Sequence, residues 1–136
     1  VAGNRDLESR APWLDDDRDA CEQATIAHLS DCRPPGGAAG PRPTGALAGR
    51  TALGVHNLGG NVSEWTADGL RPYSDPACWG DELVLRRDPW CPVGVPTLRG
   101  GSWRSNIVSL PVYMRNAAVG PSDDVGFRCA RAAGPR

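Results

Sequence analysis

Apolar and polar residues alternate only over short stretches of this chain. Asn61, Ser63 and Trp65 interleave with Val62, Glu64 and Thr66 at the two-residue period of a strand, which predicts a strand beginning near Asn61. TLRGGSWR at 97–104 reads as a second strand interrupted by a glycine pair, the mark of a bulge or a close backbone approach. VYMRNAAV (112–119) and VGFRCARA (125–132) are the last two strand candidates, joined by the turn-rich GPSDD at 120–124. Helical spacing is found only in CEQATIAHL at 21–29, where Ala24, Ile26 and Ala27 suggest one short helix with Asp19 as its sole candidate cap. The remainder reads as loop. Residues 1–20 are polar and acidic, 33–51 are rich in Pro and Gly without a period, and 69–96 are punctuated by Pro, Asp and Gly around a single apolar run, Leu83, Val84 and Leu85.

Composition sharpens this picture. Gly 17 and Pro 13 exceed a fifth of the 136 residues, and with Phe 1 and Tyr 2 the five tryptophans are nearly the only large aromatics. A chain of this size supports one core, so a single loop-rich domain is expected. All 15 basic side chains are arginine, spread along the chain and balanced by 16 acidic residues. No basic patch results, and nucleic acid is set aside as a partner. No stretch approaches the roughly 18 apolar residues that span a bilayer, so no membrane span is expected. Val1 in place of an initiator Met reads as a processed or partial chain, with no charged-then-apolar leader before it.

Five cysteines in a short chain point to an oxidising, extracytoplasmic setting, whether periplasmic, cell-surface or secreted. Cys21 and Cys32 bracket one polar segment and Cys78 and Cys91 another, which suggests two local disulfides with Cys129 unpaired. Buried thiols in a reducing compartment, or metal ligation, are the alternatives, the latter without any C-x-x-C pair to support it.

Three blocks in fixed order carry a resemblance: GVHNLGGNVSEWTAD (54–68), LRGGSWR (98–104) and VGFRCAR (125–131), with APWLDDDRDAC (11–21) as a degraded fourth. Together they resemble the C-terminal half of the sulfatase-modifying-factor family, whose founding activity oxidises a sulfatase cysteine to formylglycine. The resemblance implies an α+β, C-type-lectin-like fold with short antiparallel strands and little helix, formed by residues 1–136 as one domain. It also implies that the family's N-terminal half is absent here, so that a second chain is a candidate partner, and that Cys129 lacks the cysteine its counterpart often pairs with.

In the resembling enzymes the positions of Asn57, Gly60, Val62 and Glu64 bind a structural calcium, and a Gly-rich bend beside a carboxylate can supply inward-turned oxygens. The competing reading makes Glu64 a buried carboxylate held by arginine or amides, with the glycines serving the turn. Arg99, Arg115 and Arg128 lie in or beside the blocks and are read as braces, with Glu64, Asp68 or Asp124 as their partners. Trp65 and Trp103 are read as core, and His28 and His56 have no partner at metal-ligand or triad spacing.

The catalytic members carry two copper-binding cysteines after Gly-Gly-Ser-aromatic, and the corresponding positions here are Ser105 and Leu110. Neither supplies a thiolate, so copper is not expected and no catalytic residue is assigned. A second enzymatic branch, the sulfoxide synthases, takes its iron histidines from an additional helical domain that these residues lack. The surface after Gly-Gly-Ser-Trp, made of Arg104, Ser105, Asn106, Ser109, Tyr113, Arg115 and Asn116, is the candidate ligand site. It could take a protein, peptide or carbohydrate, as the same fold does in lectin-like and retroelement-diversified proteins. A non-catalytic, calcium-stabilised binding or structural module is thus the leading expectation. A divergent formylglycine-generating oxidase or related metal enzyme acting on a thiol comes next, and a truncated product without independent function third.

Overall fold

A computed structural model of the chain describes residues 11–13, 20–27, 40–80 and 89–130. Within them the longest regular element is the strand β1, Ser63–Leu70, followed by the one-turn helix α2, Pro76–Trp79, after an equally short α1 at Ala20–Gln23. Strands β2 (Val95–Arg99), β3 (Asn116–Ala117) and β4 (Val125–Gly126) complete a four-stranded sheet in the order β3-β2-β1-β4. A 3-10 turn at Ile107–Ser109 lies between β2 and β3. β1–β2 and β2–β3 are antiparallel, whereas β4 joins the far side of β1 in parallel. The last two strands therefore lie on opposite sides of the sheet despite the short turn between them, and the sheet is mixed where antiparallel strands were expected.

The strand predicted near Asn61 begins two residues later, because Asn61 has a left-handed backbone (φ 69°) and gives its polar groups to other segments. Along β1 the register with β2 shifts between Trp65 and Gly69: Trp65 faces Leu98 and Gly69 faces Pro96. This irregularity places the Ala67 carbonyl against Trp90 Nε1 and Asp68 Oδ1 against the Cys91 amide, so β1 holds the 90–91 segment directly. Pro96, which has no N–H to give, falls at this bulge, where a ladder bond is dispensable. β2 stops at Arg99 because Gly100 (φ 85°) and Gly101 (φ 67°) turn the chain, so the strand expected to run through the glycine pair to 104 ends before it, although Gly100 does approach the Leu58 backbone closely.

Two predicted strands are much shorter than their patterns. Of 112–119 only Asn116–Ala117 pairs, since the preceding residues turn and Met114 N bonds Pro111 O. Of 125–132 only Val125–Gly126 pairs, and 131–132 lie outside the described residues. The helix expected over 21–29 ends at Gln23 because the backbone beyond it serves other segments: Thr25 O accepts from Asn61 N, and Ala27 N donates to Ser105 O. α2 arose inside a stretch read as loop, and Asp75 caps it by accepting from Ala77 N while Pro76 occupies its first turn.

The buried apolar cluster is small: Trp13, Ala24, Ile26 and Leu110, with Ala11 packed against it. Trp65 and Trp103, expected in the core, are half-buried, and Trp13 takes that place. Thr97, Cys78, Cys91 and Ser102 are also fully enclosed. Cys78 and Cys91 form the predicted disulfide across 13 residues and pin α2 beside the segment entering β2. Cys21 is also disulfide-bonded, and its predicted partner Cys32 lies outside the described residues, while Cys129 is free and exposed. Among the described residues no helix is long and apolar enough to cross a membrane.

Candidate functional site

The bend before β1 is the crossroads of the fold. Asn57 (φ 54°) and Gly60 (φ 77°) bracket a reversal that any β-branched residue would resist, and Asn tolerates the left-handed region better than most. Gly60 N donates to Gly100 O at 2.8 Å, and Asn61 N to Thr25 O at 2.7 Å. A Cβ at Gly60 would lie 2.6 Å from the Thr25 carbonyl, so this close approach requires glycine. The Asn61 amide grips the Arg42 backbone at both ends, accepting from Arg42 N at 2.8 Å and donating to Arg42 O at 3.2 Å. Trp103 N closes the set on Asn61 O. The sequence pattern treated Asn61 only as a strand residue; the Gly-Gly-Asn run with its turn chemistry was the available signal.

Glu64 projects from β1 toward the C-terminal segment, where Arg128 meets it with two donors. Arg128 Nε donates to Glu64 Oε2 at 2.6 Å and Nη2 donates to Oε1. The same guanidinium reaches the carbonyls of His56 and Asn57 at 3.1 and 3.0 Å. One cation thus joins the bend, β1 and the chain after β4, which is the arginine-held carboxylate that competed with calcium on sequence grounds. The candidate calcium positions Asn57, Gly60, Val62 and Glu64 do share this bend. Calcium requires six to eight oxygens, yet the sole carboxylate of the set has both oxygens on Arg128, and the Asn57 carbonyl accepts from it too. In this arrangement the residues fit an arginine, and a calcium would have to displace it.

Of the other proposed braces, Arg99 does not reach a carboxylate: Nη1 donates to Val112 O and Nη2 to the Tyr73 hydroxyl at 3.3 Å. Arg115 stacks 3.5 Å above the Tyr73 ring and 5.7 Å from that of Trp79. Asp68 is taken by the Cys91 amide, and Asp124 accepts from Ser102 Oγ at 2.8 Å and from Ser122 Oγ. Those hydroxyl bonds, from Ser122 first and then Ser102, hold the Asp124 carboxyl below its ordinary pKa.

The segment after Gly-Gly-Ser-Trp divides the predicted ligand residues into groups. Ser105 Oγ accepts from Ser102 N at 3.0 Å and lies 3.3 Å from Ser102 Oγ, itself bonded to Asp124, so this hydroxyl belongs to a structural chain. Ser109 is half-buried against Gly101. Arg104 extends over the Trp103 ring to Asp123, with Nη2 to Oδ2 at 2.7 Å. Asn106 and Asn116 are exposed, Asn116 pairing with Leu98 through the backbone. Tyr113 and Arg115 gather instead at Tyr73, whose hydroxyl donates to the Tyr113 carbonyl at 2.9 Å. Tyr73 and Trp79 were not singled out from the sequence, since nothing local signals a contact across 40 residues.

Leu110 is 2% exposed and forms a wall shared by two hollows. One, of about 340 Å³, is bounded by Pro12, Leu58, Glu64, Arg99 and Val112 as well. The other, of about 290 Å³, is apolar and bounded by Trp13, Ile107, Val108 and Tyr113. Ile107, Val108 and Tyr113 are each about half exposed, so the second hollow opens onto an apolar rim. His28 lies outside the described residues, and the His56 Nδ1 is buried without an acceptor or donor partner. Among the described residues no three His, Cys, Asp or Glu side chains gather at a spacing suited to a metal.

Residues 10–133 match the family model described as "Sulfatase-modifying factor enzyme 1-like domain". The chain is 33% identical over 95 residues to "Inactive C-alpha-formylglycine-generating enzyme 2" of Mus musculus, covering 70% of this chain and 27% of that protein. It is 37% identical over 97 residues to "Hercynine oxygenase" of Mycolicibacterium thermoresistibile, covering 60% of this chain and 20% of that enzyme. Among solved structures, Treponema denticola variable protein 1 superposes with a TM-score of 0.60 at 23% identity, over 78% of this chain and 34% of its own. PvdO from Pseudomonas aeruginosa superposes with a TM-score of 0.54 at 25% identity, over 84% of this chain and 41% of its own. The chain thus spans about a quarter of the curated relatives it matches.

Proposed function

Because the chain belongs to the family of sulfatase-modifying factor enzyme 1-like domains and has their loop-rich α+β, C-type-lectin-like fold, we propose that it is a non-catalytic member whose loop surface binds a ligand or protein partner. The observation that carries this reading is the burial of Leu110 in the apolar cluster with Trp13, at a position where the resemblance calls for a copper-binding thiolate. Ser105, at the other such position, spends its hydroxyl on Ser102. A 33% identical relative whose name declares it inactive is consistent with a family branch that keeps the scaffold without the chemistry.

We assign the binding surface to the exposed Arg104, Asn106, Tyr113 and Asn116 with the half-buried Arg115, beside the apolar hollow rimmed by Ile107 and Val108. Aromatic and amide side chains around an open apolar floor suit a peptide, a protein loop or a sugar. The disulfides support an extracytoplasmic setting. Further polypeptide, in this chain's parent or in a second chain, is proposed to supply the remainder of the family architecture. The calcium that the resemblance implies at Asn57, Gly60, Val62 and Glu64 would compete with Arg128, and our reading makes the arginine the brace.

The likeness to hercynine oxygenase favours a second reading, a divergent metal-dependent enzyme acting on a thiol. One experiment separates the two. The purified chain is screened against glycan and peptide panels and assayed in parallel for oxygen consumption with cysteine-containing peptides, with added copper(I) or iron(II). Specific binding weakened by Asn106→Trp or Tyr113→Ala, with no oxygen uptake, is expected. Turnover of a thiol with either metal would overturn the non-catalytic reading.

A further inference from the structure

Two arginines meet at Tyr73. Carboxylates among the described residues have partners of their own: Glu64 has Arg128, Asp75 has Arg71 and Asp123 has Arg104, while Asp124 accepts from Ser102 and Ser122 and Asp68 from the Cys91 amide. Arg99 and Arg115 meet no carboxylate among the described residues, yet both converge on one phenol ring. Arg99 touches the Tyr73 hydroxyl, and the Arg115 guanidinium carbon lies over the ring, 3.5 Å from its centroid. Stacking fixes a guanidinium in place without using any of its N–H donors, so Arg115 is held rigid with its hydrogen-bonding capacity unspent. Its Nη1 is buried with no acceptor, a state that native proteins ordinarily relieve with a partner. Arg99 spends Nη1 and Nη2 on the Val112 carbonyl and the Tyr73 hydroxyl, neither of which carries a negative charge.

We propose that Arg99 and Arg115, oriented by Tyr73 and Trp79, form a binding site for an oxyanion, a carboxylate, sulfate or phosphate group carried by the ligand. This inference rests on the binding-module reading and gives its ligand a charge. The site has a rigid aromatic backing in Tyr73 and Trp79, whose ring centroids are 6.2 Å apart, and α2 and β3 flank it. Two uncompensated arginines favour an anion by charge, and the planar fork of Arg115 matches the paired oxygens of such groups. Tyr113 lines the apolar hollow, and its carbonyl accepts from the Tyr73 hydroxyl, so an acidic ligand with an apolar portion would engage both.

The test titrates the full chain with sodium sulfate, sodium phosphate and sodium acetate, each against chloride at constant ionic strength. Tryptophan fluorescence reports on Trp79, and calorimetry provides a second reading. Saturable binding of at least one oxyanion is expected, with Arg115→Gln weakening it about tenfold or more. Arg50→Gln, the same charge change at an exposed loop position, should leave it unaltered. Arg115→Lys, checked for an unchanged circular dichroism spectrum, should retain part of the affinity, which keeps the test valid if the glutamine variant unfolds. Absence of saturation for all three anions, or equal weakening by Arg50→Gln, overturns the site. If a neutral glycan or peptide binds and keeps its affinity in the Arg115 variants, the anion site alone fails. If neither charged nor neutral probes bind, the module reading fails with it.

Discussion

Arg128 closes on Glu64 across 64 residues of chain, with Nε and Nη2 each donating to a different carboxylate oxygen, and the same guanidinium holds the His56 and Asn57 carbonyls. Glu64 is largely enclosed, with 17% of its side chain exposed against 39% for Arg128, so removing the arginine strands a shielded carboxylate. Discounted for the exposure of Arg128, Arg128→Met and Glu64→Gln should each lower stability by about 1–2 kcal/mol in urea unfolding. The double variant should lose less than the sum. Calcium or a chelator should leave the wild-type midpoint in place; a calcium-dependent rise would return the bend to the metal.

Asp124 links β4 to the Gly-Gly-Ser turn through Ser102 and Ser122. Its folded-state pKa lies below the unfolded value, so the carboxylate contributes stability above about pH 4, and that contribution is lost as pH falls further through the folded value. Asp124→Asn should therefore flatten the acid side of the stability curve. Ser102→Ala, which removes a buried hydroxyl from the same chain, should cost about 1 kcal/mol at neutral pH. Thermal melts from pH 2 to 7 read both.

Cys78 and Cys91 close a loop across 13 residues between α2 and the entry to β2. A loop of that order contributes about 3 kcal/mol when cross-linked. Reduction, or Cys91→Ala, should lower the melting temperature accordingly. An unchanged melt after complete reduction would contradict this.

Where the chain itself sets local geometry, the sequence was readable. The alternation around Val62 and Glu64 marked β1, the Gly100–Gly101 pair marked a break in the strand pattern of 97–104, and the Cys78 and Cys91 spacing marked a disulfide. Features that depend on distant contacts were not. VYMRNAAV looks like a strand by period, yet only Asn116 and Ala117 pair with β2, because the residues before them turn and Met114 N bonds Pro111 O. Trp65 and Trp103 sit in alternating patterns yet are half-buried, while Trp13, in a polar stretch, is enclosed. Asp75 before Pro76 was a legible cap that the surrounding Pro and Gly obscured. In the candidate site, Arg115 and Tyr113 were named from the surface that follows the Gly-Gly-Ser-Trp block, whereas Tyr73 and Trp79 reach them only through the fold.

Two glycines separate steric from conformational demands. A Cβ at Gly69 would lie 1.9 Å from the Val93 carbonyl, so Gly69→Ala must push apart backbone segments and should cost about 3 kcal/mol or more. Gly54 has φ 76° but open space around it, so Gly54→Ala should cost only about 1–2 kcal/mol from the left-handed backbone. Chemical denaturation of the two variants gives the comparison.

The proposed non-catalytic reading is tested most directly by copper(I) binding to the purified chain, measured against a competing chelator before and after thiol alkylation. With Leu110 buried beside Trp13 and the Ser105 hydroxyl tied to Ser102, no stoichiometric copper that depends on free thiol is predicted. One copper per chain, lost when Cys129 is alkylated, would show that a reactive thiolate site exists after all and would contradict the non-catalytic account.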